Sequence, residues 1–345
     1  IKNRAELLCF MFFLLSFFIT IYADRKNKKK TGILFLAALF VFCLALLAKE
    51  TALILPIIYL AYIACFYPEI KKGPLIKILS WGGIILFYFW FRQITLLTGN
   101  KIFTPLSLSE NIFAMFQTLG YYFWLLLFPV RLNAEHPFPI PDSFWNPTVA
   151  FPAVALLVLT AVLILFYKKS LKILCFSLCW TLFSLLPVSN LVFLPSRPIA
   201  EQRLYFPSLG ICLLLALFIR KIRTEAAKRL YPEKLTAVLI FAGLFFFFSI
   251  QTIKRNFDMR TPVSFYAATV KHSPRHFRPH ANLANALLKK ERLDEAIKHY
   301  NIARYLNPYC PTTYFNLGLA LLKKNQIDKA ACCFQAALQL EPNST

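Results

Sequence analysis

Over the first three-quarters of the chain, long apolar runs alternate with short charged turns, and this alternation predicts helices that cross a membrane. Runs at 7–22, 33–47, 51–67, 78–97, 149–167, 171–188, 206–219 and 235–253 each suit one span, about eight in all. Pro56 lies inside the third run and is expected to kink it. The run 111–128 is also long enough to cross. Counting it as a crossing would carry the basic turns near Lys168 and Arg220 to the face opposite the basic turn at 24–30, against the usual bias of Lys and Arg toward the cytoplasm. Treated instead as re-entrant or interfacial, it leaves every basic turn on the cytoplasmic side. The Pro-rich stretch 131–148, the stretch 194–210 and all residues after 253 then lie outside.

Beyond residue 256 the apolar runs give way to a 34-residue period. Aligning 277–308 with 311–342 pairs His280 with Tyr314, Leu283 with Leu317, Ala284 with Gly318 and Leu287 with Leu321. It also pairs Ala296 with Ala330, Tyr300 with Phe334, Ala303 with Ala337 and Pro308 with Pro342. Small residues let two helices approach, large ones fill the gap, and proline ends the second helix, which is the pattern of tetratricopeptide helix–turn–helix units. Phe265, Tyr266 and Val270 read as the second helix of a degenerate half repeat ahead of them. The expected fold is therefore all-α: a polytopic transmembrane bundle over 1–256, then an extracytoplasmic tetratricopeptide solenoid over 257–345.

Composition agrees. Of 345 residues, 58% are hydrophobic and 16% charged, too apolar for one soluble core. The net charge of +23 is spread in clusters beside apolar runs, a topology signal and a poor fit to nucleic-acid binding. Nine cysteines follow no metal-binding spacing and suggest no disulfide framework. The chain opens at Ile1, already at the edge of a span, and ends inside a repeat pattern, so a fragment truncated at both ends is expected.

The densest charged stretch between two apolar runs is 194–210, with Arg197, Glu201 and Arg203 followed by Tyr205. Charges at the mouth of membrane helices are costly without partners or water and mark a candidate site for a polar ligand. The topology brings Arg4, Glu6, Lys49, Glu50, Arg92, Arg131, Glu135 and His136 to the same face, whereas the cytoplasmic turns look merely basic. Cations there can hold a lipid phosphate, and carboxylates can orient a hydroxyl. The plainer readings are that Lys49 and Glu50 form an interfacial pair and that Arg92 neutralises a carboxylate within the bundle. On the repeats, Asn282, Asn285, Lys289, Asn316 and Lys323 form a polar and basic set suited to holding an extended peptide in the inner groove.

Four motifs carry a resemblance. Arg4-Ala-Glu6-Leu-Leu resembles a Gly-Arg-x-Asp-Leu-Leu element, and Leu47-Ala-Lys49-Glu50 with Pro56 resembles a Ser-Lys-Glu element. The stretch 127–135 resembles Pro-x-x-Leu-Ser-x-Asp-Tyr, and 200–210 resembles Ala-Glu/Asp-x-Arg-x-Tyr-x-Pro-Ser-x-Gly. These belong to the tetratricopeptide-containing membrane O-mannosyltransferases and their bacterial relatives, of the type C glycosyltransferase fold. The resemblance implies transfer of mannose or a similar sugar from a polyprenyl-phosphate donor to protein Ser/Thr hydroxyls at the extracytoplasmic face of a bacterial inner membrane or in the lumen of the endoplasmic reticulum. The repeats would bind acceptor or partner protein. The family's presumed catalytic Asp would lie before Ile1, and Glu135-His136 stand where the family has Asp-Tyr. The residues present are thus expected to serve donor phosphate and site lining, with no metal requirement indicated by this chain. Two other classes fit the same pattern: a non-enzymatic membrane-anchored scaffold for an envelope complex, and a lipid-linked glycan polymerase or ligase.

Overall fold

A computed structural model describes residues 2–25, 31–67, 72–96, 107–129, 133, 136, 138–168, 171–190, 199–226 and 233–341. Among these residues the chain is helical and holds no strand. It divides into two compact units, one of residues 1–129, 140–198 and 202–237, the other of 130–139, 199–201 and 238–345.

The first unit contains α1 (Lys2–Arg25), α2 (Thr31–Ala48), α3 (Leu55–Phe66), α4 (Lys72–Leu96), α5 (Leu108–Leu127), α6 (Pro147–Lys168), α7 (Lys172–Leu185) and α8 (Tyr205–Ala226). Among the described residues, five stretches are long and apolar enough to cross a membrane: Arg4–Arg25, Thr31–Ala48, Leu75–Gln93, Pro147–Tyr167 and Glu201–Arg220. Glu50–Phe66 and Lys172–Val188 are shorter apolar helices. The amphipathic α5 is not among the five. Its first turn is closed by a reciprocal cap in which Ser107 Oγ accepts the Glu110 N–H and Glu110 accepts the Ser107 N–H.

Pro56 does not kink a continuous span. A 3-10 turn, Glu50–Ile54, comes first, and α3 starts at Leu55 with Pro56 in its opening turn. The missing proline N–H costs nothing there, because first-turn N–H groups have no intrahelical acceptor. Pro187 sits likewise in the 3-10 turn Leu186–Val188 that closes α7.

Aromatic rings dominate the core of this unit. Phe13 on α1 makes edge contacts with Trp180 of α7 and Phe206 of α8, with ring centroids 5.8 and 5.0 Å apart. Trp180 Nε1 donates to the Phe206 carbonyl at 2.7 Å, which gives the buried indole the acceptor it needs and fixes the first turn of α8. Gly210 lets α8 close on α7, since a Cβ at that position would fall 2.6 Å from the Ser177 carbonyl. Small residues at such crossings are how membrane helices gain contact.

The second unit contains α9 (Glu233–Asp258) from Val238 on, α10 (Pro262–His272), α11 (Phe277–Leu288), α12 (Leu293–Leu306), α13 (Pro311–Lys323) and α14 (Ile327–Leu340). The run 235–253 falls on α9. Helices α11 to α14 are two helical hairpins whose shared core holds Leu283, Ala284, Leu287, Ala296, Tyr300, Leu317, Leu321 and Ala330, the residues paired by the 34-residue spacing. Tyr266 and Val270 of α10 pack against it. The inter-helix turns repeat as well. Glu291 and Asn325 both take positive φ, at 59°, and the Arg292 and Gln326 N–H groups donate back to the Leu287 and Leu321 carbonyls.

Candidate functional site

Of the expected site residues, four in the first unit form two ion pairs. Glu6 on α1 is wholly buried and accepts from Lys49 Nζ, while Glu50 faces Arg92 Nη1 on α4 at 3.3 Å. Lys49 and Glu50 are consecutive but do not pair with each other. Lys49 is extended (φ −166°, ψ 146°) ahead of the 3-10 turn, so one side chain reaches α1 and the next reaches α4. Cys9 strengthens the arrangement, with Sγ 3.5 Å from both the Lys49 carbonyl and Thr51 Oγ1. Arg92 also lies 3.5 Å from Tyr88 Oη. Each of these two pairs is formally neutral.

Arg203 is half-buried on the 3-10 turn Glu201–Leu204, Tyr205 opens α8 partly exposed, and Arg4 is exposed. Glu135 and Arg197 lie outside the described residues, as does Arg131.

Glu201 belongs to the second unit. Its Oε1 accepts the Asn133 main-chain N–H and lies 3.5 Å from His136 Nε2, and its Oε2 lies 3.3 Å from Arg255 Nη2 near the end of α9. Arg255 in turn covers the Phe265 ring at 5.8 Å. Asn133 is buried and donates through Nδ2 to Ser273 Oγ at 2.6 Å. The sequence pointed to Glu201 and His136 but not to Arg255, Asn133 or Ser273, whose separations of 54, 68 and 140 residues carry no local signal.

On the repeats, the polar set is less openly displayed than the spacing suggested. Asn285 is half-buried, and its side-chain carbonyl accepts from Tyr300 Oη at 2.5 Å and from Asn316 Nδ2 at 3.1 Å. These bonds join α11, α12 and α13 from within, because a buried amide must find partners. Asn282 is half-buried, and Lys289 and Lys323 are exposed.

One expectation fails at the other end of α1. The turn there is not merely basic: the Asp24 carboxylate accepts from Tyr59 Oη at 2.8 Å and from Lys77 Nζ, and Lys77 is buried over the Phe35 and Tyr59 rings. A buried ammonium requires such a partner. Glu6 and Asp24 stand 18 residues apart on one helix, roughly 27 Å at 1.5 Å per residue, which is close to the thickness of a bilayer's hydrocarbon core.

Comparison with known proteins gives similarities for both parts of the chain. A TPR repeat family matches residues 284–325 and a tetratricopeptide repeat family matches 311–344. Protein O-mannosyl-transferase TMTC1 of Mus musculus is 28% identical over 253 residues, 70% of this chain and 26% of that protein. Protein O-mannosyl-transferase TMTC4 of Homo sapiens is 26% identical over 348 residues, 87% of this chain and 46% of that protein. The chain is similar to the TMTC protein O-mannosyl-transferases. A third TMTC relative, the tmtc2 protein of Xenopus laevis, is 34% identical over 119 residues, 34% of this chain. The chain spans less than half the length of these TMTC relatives. Membrane helices followed by tetratricopeptide repeats are thus the order that the apolar runs and the 34-residue period predicted.

Proposed function

We propose that this chain acts as a membrane glycosyltransferase, moving mannose or a similar sugar from a polyprenyl-phosphate donor to protein Ser/Thr hydroxyls at the extracytoplasmic face, with the repeats holding acceptor or partner protein. The observation that carries the reading is the similarity to protein O-mannosyl-transferases across 87% of the chain. The ion-paired end of the first unit supports it. There Lys49 and Arg92 are matched by Glu6 and Glu50, so they shape and rigidify the site, and we assign Arg203, on the charged turn of the 200–210 motif, to the departing lipid phosphate. In this assignment the positive guanidinium meets charge that grows as the glycosidic bond breaks, which lowers the barrier more than it tightens donor binding. In the repeats, the exposed Lys289 and Lys323 are the cations we assign to acidic side chains of an extended partner, beside the half-buried Asn282.

The test uses the full-length protein in membranes with dolichyl-phosphate mannose and a protein acceptor. Arg203→Ala is expected to lower turnover at least about a hundredfold, the scale of losing one oxyanion donor. Unchanged turnover in a folded variant removes Arg203 from the mechanism. A wild-type protein that transfers no sugar while still capturing partners through its repeats would establish the scaffold reading instead.

A further inference from the structure

The exposed face of α1 ends in an arginine. Met11, Leu15, Phe18 and Tyr22 follow one another at steps of four, three and four residues, all exposed, and a further step of three reaches the exposed Arg25. Cys9, Phe13, Phe17 and Thr20 fill the buried face of the same helix. An apolar exposed stripe suits any helix that lies against acyl chains, but the guanidinium at its end does not follow from that. Arg4 and Arg25 bracket a stretch of 22 residues, roughly 32 Å at 1.5 Å per residue, which sets Arg25 at the headgroup layer of a bilayer whose hydrocarbon core is about 30 Å thick. Its side chain is held there. The guanidinium meets the Tyr62 and Tyr67 hydroxyls at the end of α3, and the two hydroxyls also meet each other. Tyr62 is buried against the exposed Tyr67, with ring centroids 5.8 Å apart. The neighbouring Asp24 is turned elsewhere, accepting from Tyr59 Oη and Lys77 Nζ.

We infer that α1 holds an anionic phospholipid, with the headgroup phosphate on Arg25 and Tyr67 and an acyl chain along Tyr22, Phe18 and Leu15. A guanidinium offers five N–H donors in a planar fork, so two hydroxyl contacts leave donors for a phosphate, which the fork matches with two parallel bonds. One O–H of the tyrosine pair is used between the two rings, and the other can donate outward from the exposed Tyr67. Tyrosine rings also belong at headgroup level, where one end is apolar and the other wet. The anionic class follows from charge. In sequence, Lys26, Lys28, Lys29 and Lys30 come directly after Arg25, with no acidic residue before Glu50, and basic clusters beside a membrane helix attract anionic lipid. A free phosphate ion would use Arg25 but not the stripe, whereas a lipid uses both. The site lies at the end of α1 opposite the Glu6–Lys49 pair, so the inference stands apart from the transferase reading.

The test reconstitutes the full-length protein in vesicles of phosphatidylcholine and phosphatidylglycerol in equal parts, releases it into mild detergent and weighs it intact by native mass spectrometry. The wild type is expected to retain phosphatidylglycerol in preference to phosphatidylcholine. Arg25→Gln should weaken that retention at least about tenfold, the low end for losing a hydrogen bond to a charged group. Tyr67→Phe should weaken it by less, and Phe18→Asn should weaken it while leaving the phosphate contacts in place. All three side chains are exposed, so the variants should melt with the wild type in phosphatidylcholine alone. If Arg25→Gln melts lower, Tyr67→Phe and Phe18→Asn decide. Equal retention of the two lipids by the wild type, or an unchanged preference in these variants, overturns the inference. So does displacement of phosphatidylglycerol by excess inorganic phosphate together with no effect of Phe18→Asn, which would assign Arg25 to a free anion.

Discussion

Replacing Lys49 by Met leaves the Glu6 carboxylate wholly buried without its cation. Glu6 is at 0% exposure and Lys49 at 25%, so solvent can reach the lysine but cannot rescue the carboxylate. Removing one partner of a buried ion pair costs about 3–5 kcal/mol, because the remaining charge keeps its desolvation penalty. Glu6 Oε2 has no hydrogen-bond partner among the described residues, so the native pair is held through one oxygen and the lower figure, about 3 kcal/mol, applies. For a unit of this size that corresponds to a Tm lower by roughly 6–12 °C. The double variant Lys49→Met with Glu6→Met removes both charges and fills their space with similar volume, and it should recover most of the loss. The assay is thermal unfolding in detergent micelles of the wild type, both single variants and the double. Equal and additive losses would mean that Lys49 and Glu6 act independently, and would refute the pairing as the reason both residues are where they are.

Three further predictions concern packing and protonation. Gly210→Leu places a side chain against the Ser177 carbonyl and should destabilise the first unit by about 1–3 kcal/mol, read as a lower melting temperature, whereas Gly243→Leu, with nothing nearby, should not. Glu291→Gly relieves a left-handed backbone that costs about 1–2 kcal/mol for a non-glycine residue, offset by about 0.5–1 kcal/mol of extra chain entropy. A net gain should appear in denaturant melts of the repeats, and Asn325→Gly should gain less, because Asn already tolerates that conformation. Burial, and then the neighbouring His280, hold the His299 imidazole below its ordinary value. The unfolded chain therefore takes up this proton first, so the contribution of His299 is complete above about pH 6.5 and is lost as pH falls through the lower folded value. Hydrogen exchange in α11 and α12 should accelerate relative to the rest of the chain between pH 7.5 and 5.5, and His299→Gln should flatten the trend.

What the sequence revealed depended on how far apart the interacting residues were. The repeats were legible because each packing position recurs at a fixed spacing and touches its own hairpin, as Leu283, Ala296 and Tyr300 do. Five helices of membrane-spanning length were legible from apolar length, whereas the expected spans 51–67 and 171–188 are shorter helices. The third span was read as one kinked helix because hydropathy does not distinguish a 3-10 turn from an α-helix, and only the proline position separates them. Candidate site residues were recognised as charged and near one face, but their partners were not. Lys77 finds Asp24 across 53 residues and Arg255 finds Glu201 across 54, and no local pattern encodes either pair. Asn282 and Asn285 fall on α11 and Asn316 and Lys323 on α13, yet the bond from Asn316 to Asn285 depends on how two repeats stack, which periodicity does not report.

The two turns at Glu291 and Asn325 close on their own hairpins through the same backbone bonds, Arg292 to Leu287 and Gln326 to Leu321. Each repeat thus carries its own backbone clasp beside the core that the two hairpins share. Under a pulling force along the chain the array should yield in instalments, each releasing a 34-residue length of roughly 110–120 Å when fully extended. A partner tugged from the repeats would meet a ratchet of small mechanical events, each giving up length to the pull.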